Sequence, residues 1–254
     1  MSHRRRVIIT AICLTAAVAG AATTDLVVER KVQRRVAETA ECRLDATRGV
    51  QVDLDDTLAG LKALTGTVGG VHVSADGVRR QGTDMDVDVY LRDVSTAGAT
   101  TGGTATATIA YDALDTTAAE QSGADTATGG LKTGTDGTHL ILTGKAGEAG
   151  MPATVVTSLS TTAHSLTITP ENVRILGREV PVSTLSALPG ATGFADKLKP
   201  RTVDIQKLPD GATLVGAHAG SDGLVLDFEV APGGLKKEAK AASACASGRG
   251  RVDG

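Results

Sequence analysis

The sequence predicts an α+β protein dominated by antiparallel strands, preceded by an export segment and followed by a short polar tail. Three observations carry this. From Gly49 onward apolar and polar residues alternate with a period of two, the mark of half-buried antiparallel strands. Asp-Gly pairs punctuate the strand-like runs at Asp76-Gly77, Asp136-Gly137 and Asp222-Gly223, and both residues tolerate the positive φ of tight hairpin turns. Helical spacing is confined to three stretches, at 25–41, 112–121 and 182–188.

Residues 1–24 read as a signal peptide or signal anchor. His3, Arg4, Arg5 and Arg6 precede an uncharged run from Val7 to Thr24, with small residues around Ala17-Val18-Ala19 and Ala19-Gly20-Ala21. The run is about 18 residues, the lower limit for spanning a bilayer, so cleavage and retention as an anchor both stay open. Cys13 follows Ile12, which does not fit a lipoprotein signal. Either way the expected location is extracytoplasmic, in the cell envelope or secreted.

The domain proper is expected over 25–235. Asp25 to Glu41 reads as a helix, with Val28, Val32, Val36 and Ala40 forming one apolar stripe. Arg30, Lys31, Arg34 and Arg35 crowd the rest of its surface. Such a helix either docks on a sheet or touches lipid head groups, and these four cations are the candidate membrane contacts. Strands follow. Val50, Val52 and Leu54 alternate with Gln51, Asp53 and Asp55, Val71 and Val73 flank His72, and Met85, Val87, Val89 and Leu91 alternate with Asp84, Asp86, Asp88 and Tyr90. Further strand-like runs are 104–111, 138–143, 153–159, 164–169, 178–182, 213–219 and 224–230. Short helices are expected at 112–121 and at 182–188, the second stopped by Pro189-Gly190. Val71 to Val78 echoes Ala217 to Leu224, which suggests similar hairpins near both ends of the domain. The tail over 236–254 is rich in Ala, Ser, Gly and Lys and reads as flexible.

Charge and cysteine content bound the function. Residues 1–24 hold three arginines and no acid, so removing them takes the formal charge from −3 to −6. An acidic domain does not read as a nucleic-acid binder. The two cysteines beyond the export segment, Cys42 and Cys245, form one disulfide in an oxidising compartment or remain two free thiols. Bridged, they close a loop whose chain entropy is worth roughly 4–5 kcal/mol before strain.

Catalytic signatures are absent from the sequence. It holds no G-x-S-x-G, no H-E-x-x-H and no Walker sequence. No histidine lies within four residues of another His or of a Cys, so no metal-ligand spacing appears, and no metal or cofactor is expected. Asp84, Asp86 and Asp88 imitate the start of a calcium loop, but its sixth position is Val89 instead of Gly and its twelfth is Ser95. A solvated strand face is the better reading. His72 and His218 sit between small apolar residues and are expected to face solvent. The chain therefore reads as a non-enzyme. Its interior must be filled by Val, Leu, Ile and Ala, since only Tyr90, Tyr111, Phe194 and Phe228 carry rings.

Together these features resemble a known family. A basic helix ending at Cys42 is followed by Leu58-Ala59-Gly60-Leu61, by Val71-His72-Val73-Ser74-Ala75-Asp76-Gly77-Val78 and by the alternating strand Met85–Val94. Near the end stand Leu208-Pro209-Asp210-Gly211-Ala212-Thr213-Leu214 and Asp222-Gly223-Leu224. The pattern is similar to the LmeA-type phospholipid-binding proteins of actinobacteria, over roughly residues 25–231. The resemblance implies a long curved sheet wrapped around one or two helices, as in tubular lipid-binding folds, and phospholipid as the partner, met through transient membrane contact. Relatives tend to carry a Phe-Pro-Phe-type segment before the first hairpin, where this chain reads Asp55-Asp56-Thr57-Leu58. No head-group contact is therefore carried over. An aliphatic groove is expected from Val71, Val73, Val87, Val89, Leu140, Leu142, Leu166 and Ile168, positions that would equally serve as plain sheet core. The alternative function is a structural or protein-interaction domain with a closed core.

Overall fold

The computed structural model describes residues 46–55, 66–80, 82–95, 99–122, 132–146, 150–185, 198–205, 208 and 211–233. The expected export segment, the expected helix with Arg30, Lys31, Arg34 and Arg35, both Cys42 and Cys245, and the expected flexible tail lie outside the described residues.

In chain order the elements are β1 (Ala46–Leu54), β2 (Thr67–Arg80), β3 (Thr83–Ser95), β4 (Gly102–Ala110), α1 (Tyr111–Ser122), β5 (Lys132–Thr135), β6 (Leu140–Ala146), β7 (Met151–Thr162), β8 (Ser165–Ile175), β9 (Arg178–Pro181), α2 (Val182–Leu185), β10 (Arg201–Asp204), β11 (Ala212–Ala219) and β12 (Gly223–Val230). The fold is mainly antiparallel β, as the period-two pattern predicts. The strands divide between two open sheets. The first has the order β1-β2-β3-β4-β12-β11, and the second runs β10-β8-β7-β6-β5 with β9 beside β8.

The first short helix forms where expected, and the second forms over Val182–Leu185, the rest of its expected span, 186–188, lying outside the described residues. α1 is tied down at its start, where the Tyr111 hydroxyl donates to the Gly220 carbonyl at 2.6 Å. Farther along, the Asp115 carboxylate accepts from the Thr133 amide at 2.7 Å, which holds the helix to β5. α2 places Leu185, fully buried, over the second sheet with Leu198, against Ala153, Val155 and Val173. A larger cluster joins the two sheets: Ala107, Ile109, Leu214, Leu224 and Leu226 from the first pack with Leu166 from the second, and Leu159 and Ile168 border them. At this junction the Leu214 amide of β11 donates to the Ala163 carbonyl at the β7–β8 turn, 3.0 Å away. The buried Thr157, at a register shift in β7, keeps its hydroxyl satisfied by donating to the Leu140 carbonyl at 2.8 Å.

One predicted hairpin is not a hairpin. Asp76-Gly77 lies inside β2, which continues to Arg80. Gly77 takes φ +66°, its amide donates to the Asp86 carboxylate at 2.8 Å, and pairing jumps from Ala75↔Val87 to Val78↔Met85. The pair that could have made a tight turn makes a bulge instead, because β3 supplies a carboxylate for the displaced amide. The chain reverses beyond Arg80, which pairs with Thr83 around Gly82. The other two pairs do fall at turns: Asp136-Gly137 between β5 and β6, and Asp222-Gly223 at the start of β12. The echo between 71–78 and 217–224 therefore covers two different structures, a bulged strand and a true turn.

Candidate functional site

The registers of the first sheet align its side chains into rungs that cross all six strands. One rung is Val52, Val73, Val89, Ala105, Phe228 and Leu214. The next is Val50, Ala75, Val87, Ala107, Leu226 and Ala217, and on the other side lies Leu54, Val71, Leu91, Gly103, Val230 and Ala212. A further rung, at the β2–β3 hairpin end, pairs Val78 with Met85 and Ile109 with Leu224. Directly paired residues of an antiparallel sheet share a face, so one whole face is apolar. Six strands spaced at about 4.8 Å make it about 24 Å across, and these four rungs make it about 20 Å long.

The opposite face is polar in the same registers. Asp53, His72, Tyr90, Thr104, Glu229 and Thr213 form one rung, and Gln51, Ser74, Asp88, Thr106, Asp227 and Gly216 the next. Two diagonal His–Asp pairs lie there: His72 to Asp88 at 2.8 Å and His218 to Asp227 at 3.2 Å. All four side chains are largely exposed. The three aspartates that imitate a calcium loop are held apart by separate partners, Asp84 by Arg79, Asp86 by Arg48 and Asp88 by His72. The Arg79 hydrogen bond holds the Asp84 carboxyl below the usual carboxylate range. Tyr90, hydrogen-bonded to the Asp55 carboxylate, has its phenol pushed up. Among the described residues there is no cluster of three or more His, Cys, Asp or Glu suited to a metal ion, and neither imidazole hydrogen-bonds a serine or cysteine.

The two halves of the apolar face differ. Beneath β4, β12 and β11 it meets the second sheet and α1, where Ala107, Leu214, Leu224 and Leu226 are buried. On β1–β3 the picture is mixed. Val71, Ala75 and Val78 are buried, whereas Val50, Val52, Leu54, Val73, Val89 and Leu91 are half-buried, and among the described residues neither cluster takes these six in.

The eight residues expected to line one groove fall in two places. Val71, Val73, Val87 and Val89 stand together on this face, with Val73 directly opposite Val89. Leu140 and Leu142 belong to the second sheet, opposite Thr157 and Val155, on the face that Leu185 and Leu198 cover. Leu166 and Ile168 lie between the sheets in the larger cluster. Alternation within single strands could find the first four, but it could not show that Val52, Ala105, Phe228 and Leu214 complete their rungs. For Phe228 and Leu214 that depends on the β4–β12 pairing, between segments more than a hundred residues apart.

A family model described as LmeA-like phospholipid-binding matches residues 23–229. No curated protein and no solved structure matches the chain.

Proposed function

This chain belongs to the LmeA-like phospholipid-binding family, and from that premise we propose that it is an extracytoplasmic, non-catalytic phospholipid-binding protein that lays acyl chains on the apolar face of its first sheet. The observation that carries this reading is the half-buried aliphatic patch of Val50, Val52, Leu54, Val73, Val89 and Leu91 on a face otherwise given over to core. A monolayer's share of the roughly 30 Å hydrocarbon core is about 15 Å, so an acyl chain fits within the 20 Å length of the face. A 16-carbon chain with half its surface covered gains about 6 kcal/mol against water, at about 0.8 kcal/mol per methylene. A lipid leaving a bilayer starts with its chains already out of water, so the patch has to match that environment with aliphatic surface alone. The absence of polar side chains from these rungs supports that requirement. The reading extends to a curved sheet closing around helical segments, the tubular arrangement that the family resemblance implies, and to transfer of the bound lipid between membranes.

The test is native mass spectrometry of the full chain produced by an exporting host, followed by solvent extraction and lipid identification. Stoichiometric phospholipid released on denaturation is the expected result. A bare protein that also takes no lipid from vesicles overturns the reading and leaves an interaction domain in its place.

A further inference from the structure

The β6–β7 and β8–β9 connections lie at one end of the second sheet. Ile175 pairs with Ala153 on one side and with Arg178 on the other, so these two connections stand next to each other. The β8–β9 turn is Leu176-Gly177, with φ +48° and +78°. Two successive positive φ values mark a type I′ turn, whose first position favours Asn, Asp or Gly. A leucine there bears conformational cost, and among the described residues little packing repays it, because Leu176 is 73% exposed. Met151, the first residue of β7 beside the neighbouring connection, is 38% exposed. Lys145 and Arg178 are exposed at the same end, and the Lys145 stem lies over Gly150, where an added Cβ would meet its Cδ at 3.7 Å. Arg174 adds a third cation, offset by Glu179 at 3.6 Å. Glu148 falls in the connection 147–149, outside the described residues.

We infer that this tip, with Leu176 and Met151 at its apex and Lys145 and Arg178 flanking them, is a docking surface for an anionic phospholipid bilayer. Two projecting apolar side chains suit the boundary between head groups and acyl chains, and the flanking ammonium and guanidinium groups meet lipid phosphates. The charge complementarity is local: the chain beyond residue 24 is acidic as a whole, with a formal charge of −6, whereas the described residues of the tip carry Lys145, Arg174 and Arg178 against Glu179. Docking of this kind is separate from acyl-chain binding on the first sheet and does not depend on it.

The full chain contains no tryptophan, so one can be introduced as the sole reporter. Leu176→Trp reports on the tip. Thr138→Trp reports on the β5–β6 turn at the far end of the same sheet, where Thr138 is exposed. Both are mixed with vesicles of phosphatidylglycerol and phosphatidylcholine, and separately with phosphatidylcholine alone, each carrying brominated acyl chains as quencher. The expected result is a blue shift and quenching of Leu176→Trp on the anionic vesicles and no change for Thr138→Trp, even if residues 7–24 tether the chain. Adding Lys145→Gln and Arg178→Gln should weaken docking, read from the quench, about 25-fold, at roughly fivefold per cation near an anionic surface. Leu176→Asn suits the turn better than leucine, so it should keep the thermal midpoint while lowering co-flotation with anionic vesicles. Equal quenching of both tryptophans, quenching of neither, or flotation unaffected by Leu176→Asn overturns the proposal. Lipid recovered by extraction is a separate readout and would be unchanged by these variants.

Discussion

Replacing Val73 and Val89 together by threonine separates a lipid-bearing face from ordinary core. Thr is β-branched like Val and nearly isosteric with it, so strand geometry and the Val73↔Val89 register persist. Both side chains are half-buried, so the new hydroxyls keep access to water in the free protein and folding should lose no more than about 1 kcal/mol. Under an acyl chain the same hydroxyls lose that water and face methylenes and aliphatic neighbours. Desolvating a hydroxyl without a partner costs roughly 1–3 kcal/mol, so the pair costs about 2 kcal/mol at the least. That corresponds to roughly 30-fold weaker lipid binding. The assay is displacement of a fluorescent-chain phospholipid, with thermal unfolding recorded in the same buffer. Val155→Thr is the internal contrast: Val155 is fully buried in the second sheet, so there the same swap should lower the thermal midpoint. Unaltered lipid affinity in a Val73→Thr, Val89→Thr protein with an unaltered midpoint would place the acyl chains elsewhere.

Two further outcomes follow from the packing and the charges. Leu185→Ala removes the side chain that α2 lays on Ala153, Val155 and Val173, and it should cost about 2–5 kcal/mol, seen as a lower urea midpoint; an unmoved midpoint would mean α2 adds nothing to the second sheet. Asp136 accepts backbone hydrogen bonds from His139 and Thr138, which lower its pKa from 3.8 to about 2. Its contribution to stability is therefore fully present above about pH 4 and is lost as the pH falls toward 2. Asp136→Asn should flatten that part of the acid-unfolding curve, and superimposable curves would contradict the assignment.

The sequence alone determined the strand content, the two short helices, the acidic balance and the family. It could do so because each rests on local information: alternation sets which residues of a strand share a face, and helical spacing needs no distant partner. It also placed His72 and His218 on a polar face, since their apolar neighbours had to turn inward. What it could not decide was which strands are neighbours. Asp76-Gly77 has the chemistry of a turn, but in the fold it forms a bulge whose displaced Gly77 amide donates to the Asp86 carboxylate opposite it. Leu140 and Val73 are equally aliphatic, but Leu140 lies on a face that a helix covers and Val73 on a rung that ends in Phe228 and Leu214. In the sequence Leu176 falls between the strand-like runs 164–169 and 178–182, and only the turn shows its positive φ and its exposure. Strand order and register are set by packing summed over the whole chain, and they decide whether an apolar side chain becomes core, stays half-buried on a sheet face, or projects into solvent.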